Sequence, residues 1–389
     1  MSTRKQRVRD ARVESLAQDG ARRRHLRTVL TTWYLEVRRD LPWRRTQDAY
    51  AIWISEAMLQ QTRVEAVLDH YARFLKRFPT VQSLARAEED DVVGMWSGLG
   101  YYNRARTLRR AAQVIVTEHA GRFPDQVEAA AALPGVGDYT VGAVLSIAYG
   151  RGVALVDGNV ARVFARLFGV LEEIDRGPTQ RMLWDLAQVL VPNDHDDARA
   201  PQAPGTWNQA LMEFGALFCT PRSPRCEDCR LRPVCIAHAE GLVDELPRKR
   251  PKKPPIDVRI EVLVARRGND VLLVRRPIED RMGGMWEMPT REVLTGTGEE
   301  TYLWPRAPHG PAGLVEEKPA SLLGQLSHSI TKHRITADLR EALVQPAVMA
   351  FTDANTAAWF DVDKLSGVGL TGLTRKALKR VLSTRLRSD

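Results

Sequence analysis

From about residue 30 to residue 240, apolar side chains return every three to four positions, the spacing of helices that bury one face. Over Tyr50 to Phe78 the recurring set is Ile52, Met58, Leu59, Val64, Val67, Leu68, Tyr71, Phe74 and Leu75. The same periodicity predicts helices over Leu30 to Asp40, Val81 to Trp96, Asn103 to His119, Gln126 to Ala132, Tyr139 to Tyr149, Arg162 to Val170, Thr179 to Val191 and Trp207 to Phe218. Beyond Leu246 the pattern changes. Arg259 to Ala265 and Val271 to Arg275 are β-like runs around a hairpin signal, Gly268-Asn269-Asp270. His333 to Leu339 and Trp359 to Val362 read as further strands, Thr374 to Leu386 as a basic amphipathic helix, and Thr295 to Pro319 as a surface loop. The expected fold is multidomain: an all-α domain followed by a mixed α/β (α+β) one.

A chain of 389 residues has room for two such domains. Its edges are cationic. Residues 1–27, dense in arginine, read as a mobile basic arm, and residues 241–257 as a stiff linker carrying Pro247-Arg248-Lys249-Arg250-Pro251-Lys252-Lys253-Pro254-Pro255. The domains are then expected at residues 28–240 and 258–389. A net charge of +9 favours a polyanionic partner. No apolar run of 18 residues exists, so no membrane span is expected. The N-terminus lacks an apolar signal core, which makes an intracellular, cytoplasmic, nucleoid-associated protein the expectation.

Candidate chemistry sits in local clusters. Cys219, Cys226, Cys229 and Cys235 are the chain's four cysteines, spaced C-x6-C-x2-C-x5-C. Crowding of this kind points to a metal or iron–sulfur site, with structural zinc as the alternative. Glu56 lies beside Trp53, Ile54, Ala57 and Met58, where a carboxyl that faces inward has a raised pKa and suits a general acid; on the solvent face it has neither property. Gln60-Gln61-Thr62 offers amides suited to base edges. In Leu133-Pro134-Gly135-Val136-Gly137-Asp138-Tyr139-Thr140, Pro and Gly break one helix while Asp138 and Thr140 favour the next. Gly135 and Gly137 bare backbone N–H groups at a helix start, which suits a phosphate. Asp157-Gly158-Asn159 supplies a second carboxylate in a polar turn. Pro42-Trp43-Arg44-Arg45 and Gly98-Leu99-Gly100-Tyr101-Tyr102 set aromatic groups near cations or at a helix junction, either as nucleic-acid contacts or as ordinary packing.

Together, Ser55-Glu56-Ala57-Met58-Leu59-Gln60-Gln61-Thr62, the Gly-Leu-Gly-Tyr-Tyr segment, the Leu-Pro-Gly-Val-Gly turn with Asp157-Gly158-Asn159, and the cysteine set resemble the helix–hairpin–helix DNA glycosylases with an iron–sulfur cluster, specifically their adenine-removing MutY type. The likeness is strong over Leu26 to Ala239. It implies excision of adenine mispaired with 8-oxoguanine, or with G, from double-stranded DNA by a monomer. Glu56 is then the acid that protonates adenine N7, and Asp157 stabilises the sugar cation, with Tyr139 and Asn159 helping to position the chemistry. The resemblance further assigns Gln61 and Tyr101 to the duplex interior, Trp43, Arg44 and Leu59 to the adenine site, and Gly135 and Gly137 to the DNA backbone. It implies a [4Fe–4S] cluster on the four cysteines, with Arg222, Arg225, Arg230 and Arg232 carried towards phosphates. Related glycosylase/lyases have a lysine where Tyr139 stands, and this chain has no lysine between Lys76 and Lys249, so a monofunctional enzyme is expected. Ala161 stands where some relatives have lysine.

The C-terminal part resembles, more weakly, a MutT-like (Nudix-like) lesion-recognition domain. Arg291-Glu292-Val293-Leu294-Thr295-Gly296 lacks the paired carboxylates of a pyrophosphatase, so hydrolysis there is not expected. Leu326-Ser327-His328 occupies the place of a Phe-Ser-His lesion-reading loop, leaving Ser327 and His328 to hydrogen-bond the lesion. A thymine/uracil mismatch glycosylase and a noncatalytic damage-binding protein are the competing functions; partners recruited through the linker are not specified by sequence.

Overall fold

The computed structural model describes residues 10–251, 253–277, 280, 282–293, 315–344, 356–365 and 367–385. The chain forms two compact units: Met1–Arg86 with Arg110–Pro251, and Ala87–Arg109 with Lys252–Asp389.

The first unit is helical: α1 (Ala11–Gln18), α2 (Gly20–Val37), α3 (Ala49–Leu59), α4 (Val64–Arg77), α5 (Val81–Arg86), most of α7 (Asn103–Glu118), α8 (Val127–Ala131), α9 (Asp138–Tyr149), α10 (Gly158–Leu167), α11 (Gly177–Leu190), α12 (Pro204–Leu217) and α13 (Ile236–Ala239). Sequence sets the helix ends. Asp48 caps α3 by accepting from the Tyr50 N–H, Gly150 closes α9 at φ 65°, and α11 and α12 begin with proline in the first turn. The apolar run over Tyr50 to Phe78 is two helices, broken where Gln61 turns to φ 57°. Tyr50 through Met58 are all buried, so α3 is a core helix and not an amphipathic one. It packs on α9, and α9 and α10 pack on α12.

Two expectations for the basic segments change. Residues 11–18 form α1 and residues 20–27 the start of α2, with Asp19 capping between them, because Val13, Leu16 and Leu26 are buried anchors among the arginines. Arg12 pairs with Glu172 at 2.9 Å, and Arg27 donates to the Leu190 and Val191 carbonyls. Only residues 1–9 of the supposed arm lie outside the described residues. The linker is fastened as far as residue 250: the Ile174 N–H donates to the Arg248 carbonyl, and Arg250 pairs with Asp175.

The second unit is built on a seven-stranded sheet of order β3-β2-β1-β6-β5, with β4 on β1 and β7 on β2. Its strands are β1 (Ile256–Arg267), β2 (Asp270–Arg275), β3 (Trp286–Glu287), β4 (Thr290–Val293), β5 (Val315–Ile330), β6 (His333–Val344) and β7 (Ala357–Asp361). β1 runs parallel to β6, from Ile256 opposite His333 to Ala265 opposite Ala342. The remaining pairings are antiparallel. One face, including Val258, Ile260, Ile335 and Leu339, packs on Leu373, Ala377 and Val381 of α14 (Gly372–Arg385). Helix α6 (Glu89–Met95) and the start of α7 belong to this unit.

Leu326-Ser327-His328 is part of β5, paired with β6 from Leu326 opposite Ala337 to His328 opposite Ile335, and is not a loop. Leu326 packs against the sheet's core. Of the expected surface loop, residues 295–314 lie outside the described residues and 315–319 begin β5. Arg291 to Val293 form β4, and Arg291 donates to Glu261; Leu294 to Gly296 lie outside the described residues.

Candidate active site

Glu56 faces inward. Only 5% of it is exposed, and burial pushes its carboxyl up to about 7. The negative charge of Asp157 acts in the same direction, while the Tyr139 hydroxyl and the Arg44 guanidinium oppose the rise. Tyr139, in the first turn of α9, donates its O–H to Glu56 Oε2 at 2.6 Å and lies 3.3 Å from Met212 Sδ. Burial and the two carboxylates raise Tyr139 well above its usual pKa, so it remains a phenol. Gln60 Nε2 donates to Thr140 Oγ1 at 3.4 Å, joining the C-terminal end of α3 to α9.

Asp157 is the N-cap of α10. It accepts from the Val160 N–H at 2.7 Å and from Asn159 Nδ2 at 2.9 Å. Burial raises its pKa; those two donors and the positive end of the helix dipole favour the anion. Asp157-Gly158-Asn159 is therefore a capped helix start and not a free turn. Asn159 in turn accepts from Arg162 Nη2 at 2.9 Å, and Arg162 Nε donates to the Cys219 carbonyl at 2.8 Å. A continuous line of hydrogen bonds thus runs from Asp157 to the first cysteine. Gly215 is needed beside it, because a Cβ there would lie 2.6 Å from the Asn159 Cβ.

Sequence reasoning missed Glu213. It is 1% exposed on α12 and holds two arginines: Arg39 at 2.6 Å and Arg44 at 2.9 Å. Burial alone would raise its carboxyl, but Arg44 and Arg39 hold it at about 2. Arg44 also lies over the Tyr34 ring. A carboxylate within the apolar segment from Trp207 to Phe218 is the same signal that singles out Glu56, so Glu213 was findable. Glu213→Gln leaves two guanidiniums, one mostly buried, without their counter-charge. Chemical denaturation should show a loss of about 3–5 kcal/mol; unchanged stability would contradict this network.

Trp43 is buried, edge-to-face on Tyr71 at 5.3 Å, and so is packed as a core aromatic. Leu59 is half-buried at the end of α3, and Gln61 is exposed. Gly135 and Gly137 are exposed, while Leu133 and Val136 anchor the turn from below. Tyr101, Ser327 and His328 belong to the second unit. Burial, then the Lys376 charge, lowers the His328 pKa, and its Nδ1 is buried without a partner among the described residues.

The four cysteines, all partly buried, line one pocket with Arg166, Phe214, Phe218 and Leu231. Burial, and secondarily the neighbouring thiols, pushes Cys229 up to about 11 and raises Cys226 and Cys235. Arg166 Nη1 lies 3.4 Å from Cys219 Sγ. Among the described residues no three His, Cys, Asp or Glu groups close in as ligands of a single metal ion would. The nearby arginines are mostly engaged within the protein: Arg225 lies over Phe218, Arg230 pairs with Glu36 and Arg232 with Glu227, while Arg222 is exposed.

Comparison with known proteins places this geometry. Residues 54–188, which contain Glu56, Tyr139, Asp157 and Asn159, match the HhH-GPD superfamily of base excision DNA repair proteins, and residues 261–380 match the NUDIX domain. A thermostable thymine-DNA glycosylase of known structure is 31% identical, with a TM-score of 0.50, and covers 57% of this chain and 98% of its own. The helical unit is thus a base-excision glycosylase fold. Adenine DNA glycosylase of Schizosaccharomyces pombe is 30% identical over 93% of this chain and 90% of its own length, and that of Homo sapiens is 35% identical over 91% and 73%. The chain belongs to the adenine DNA glycosylases, enzymes of base excision repair, and carries a C-terminal Nudix-like domain.

Proposed function

We propose that this adenine glycosylase acts on adenine paired with 8-oxoguanine, and with G, as a monomer on duplex DNA in the cytoplasm, and stops after base hydrolysis. The observation that carries the reading is the buried Glu56, raised to about 7 and hydrogen-bonded by Tyr139. A carboxyl of that pKa holds a proton at neutral pH and can release it. Once adenine is flipped out of the stack, Glu56 donates its proton to N7. The C1′–N9 bond then breaks with its electron pair leaving on the base. The sugar becomes cation-like, and the capped Asp157 carboxylate stabilises it until water adds at C1′. Asn159 and Arg162 hold that carboxylate in place.

The thymine/uracil alternative is weaker, because a purine leaving group gains most from an acid at N7. Intact carboxylates argue against a noncatalytic role. Gly135, Gly137, Gln61 and Tyr101 serve the DNA contacts; Trp43, Arg44 and Leu59 back the adenine site. In the C-terminal domain Ser327 and His328 read the lesion edge from β5, and Leu326 supplies packing.

The cysteine pocket fits a [4Fe–4S] cluster: all four cysteines line one cavity, which gives a multi-atom group four thiolate ligands. Its contribution when bound is structural. Cys219, Cys226, Cys229 and Cys235 would hold it, and Arg166 would donate towards a thiolate. Purified protein should be brown, with about four irons per chain; colourless protein with stoichiometric zinc would reject the cluster.

The experiment for the function is single-turnover cleavage of duplexes carrying A opposite 8-oxoguanine, A opposite G, and T opposite G. Adenine release from the first two, none from the third, and no borohydride-trapped adduct are expected. Release of thymine, or robust covalent trapping, would overturn the reading.

A further inference from the structure

We infer that the first turn of α14 ties the lesion-reading strand β5 to the loop that carries Tyr101, with Arg375 and Tyr102 as positioning residues for that aromatic. The inference rests on the reading that Tyr101 enters the duplex.

Tyr101 is held in an unusual state. It is 52% exposed, and its backbone is left-handed at φ 49°, which a tyrosine keeps only where its surroundings impose it. Part of that constraint is local. Trp96 Nε1 donates to the Gly100 carbonyl at 3.3 Å, and Arg104 lies over the Trp96 and Tyr101 rings while donating to the Leu99 and Gly100 carbonyls.

The rest comes from residues far along the chain in the same compact unit. Tyr102, 6% exposed, donates its O–H to the Leu370 carbonyl at 3.2 Å. Arg375 donates to Ser97 Oγ. On the flanking helices Arg275 grips both oxygens of Asp90 at 2.7 and 2.9 Å, and Arg106 donates to the Gly283 carbonyl. At Gly94 a Cβ would lie 2.1 Å from the Gly367 carbonyl oxygen, so backbone meets backbone with no room for a side chain.

The same helical turn reaches the other way. Lys376, next to Arg375, donates from Nζ to the Ser327 carbonyl at 3.2 Å, and a Cβ on Gly372 would lie 3.5 Å from His328 Cε1. Gly372 to Lys376 therefore touches Ser327 and His328 on one side and Ser97 on the other. A shift of β5 on meeting a lesion is passed through this turn to the Tyr101 loop.

The test uses the full chain with the variants Tyr102→Phe and Arg375→Gln, each alone and combined with Tyr101→Ala. One readout is the fluorescence of 2-aminopurine in place of the target adenine opposite 8-oxoguanine, which reports unstacking on binding. The other is the single-turnover rate of adenine release. Each variant should reduce both by about fivefold, the scale of one net hydrogen bond. Neither should add to the defect of Tyr101→Ala, since both act through it. Full additivity with Tyr101→Ala, or no effect of either variant, overturns the inference. Tyr102→Phe removes one hydroxyl and keeps the ring; if Arg375→Gln melts early, Tyr102→Phe alone decides. A Tyr101→Ala protein that unstacks and cleaves like the parent rejects the duplex-entering role itself, and the inference with it, whereas loss of adenine release by the parent protein would reject the glycosylase reading.

Discussion

Glu56→Gln should slow adenine release by about a thousandfold while leaving duplex binding nearly unchanged. The amide has the shape of the protonated carboxyl, so it fits the same buried position on α3 and can still meet the Tyr139 hydroxyl. It has no proton that it can give to N7. The protein should be at least as stable as the parent, because a neutral amide avoids the burial penalty that raises the carboxyl to about 7. Single-turnover release of adenine opposite 8-oxoguanine measures the first effect and thermal melting the second. A variant that retains the parent rate would remove Glu56 from the chemistry.

Asp157→Asn is the second large effect, a loss of about 10²–10³-fold in the same assay. Asparagine is as good an N-cap as aspartate, so the hydrogen bond from the Val160 N–H and the start of α10 should survive. What disappears is the negative charge that the proposed mechanism sets beside the developing sugar cation. Removing that charge also relieves the upward push on Glu56, so the acid's pKa should fall in the variant. If Asp157→Asn lost activity only by unfolding α10, helicity and duplex affinity would fall together with the rate; both should stay near the parent's.

The parts of the site legible from sequence are those whose chemistry is written locally. Glu56 stands among apolar neighbours within one helix, and the turn before Tyr139 carries its own helix breakers and starters. Asp157 is legible as the carboxylate of a Gly-Asn turn, and the structure makes that turn a helix start, with the Val160 N–H donating back to the carboxylate. Glu213 stands in an apolar helical segment as Glu56 does, but its partners Arg39 and Arg44 lie about 170 residues away in sequence, and no local pattern announces that pairing. Trp43 reads equally as an aromatic beside a base or as a buried one, and the structure packs it edge-to-face with Tyr71. The arginine-rich start reads as mobile because charge outweighs Val13 and Leu16 in any compositional view, though two buried side chains suffice to seat a short helix on α11. In the C-terminal domain, register decided what composition left open: pairing with β6 makes a strand of Leu326-Ser327-His328.

In the proposed mechanism a buried carboxyl with a pKa near neutrality delivers the proton that releases adenine. Its most direct test is the single-turnover rate of adenine release opposite 8-oxoguanine from about pH 5 to pH 9, for the parent and for Glu56→Gln. Burial raises the Glu56 pKa to about 7, so the active protonated form is full below that pH and is lost above it. The parent rate should therefore fall about tenfold per pH unit above its break near 7, and the variant should be slow with no such break. The same alkaline break persisting in Glu56→Gln would contradict the account.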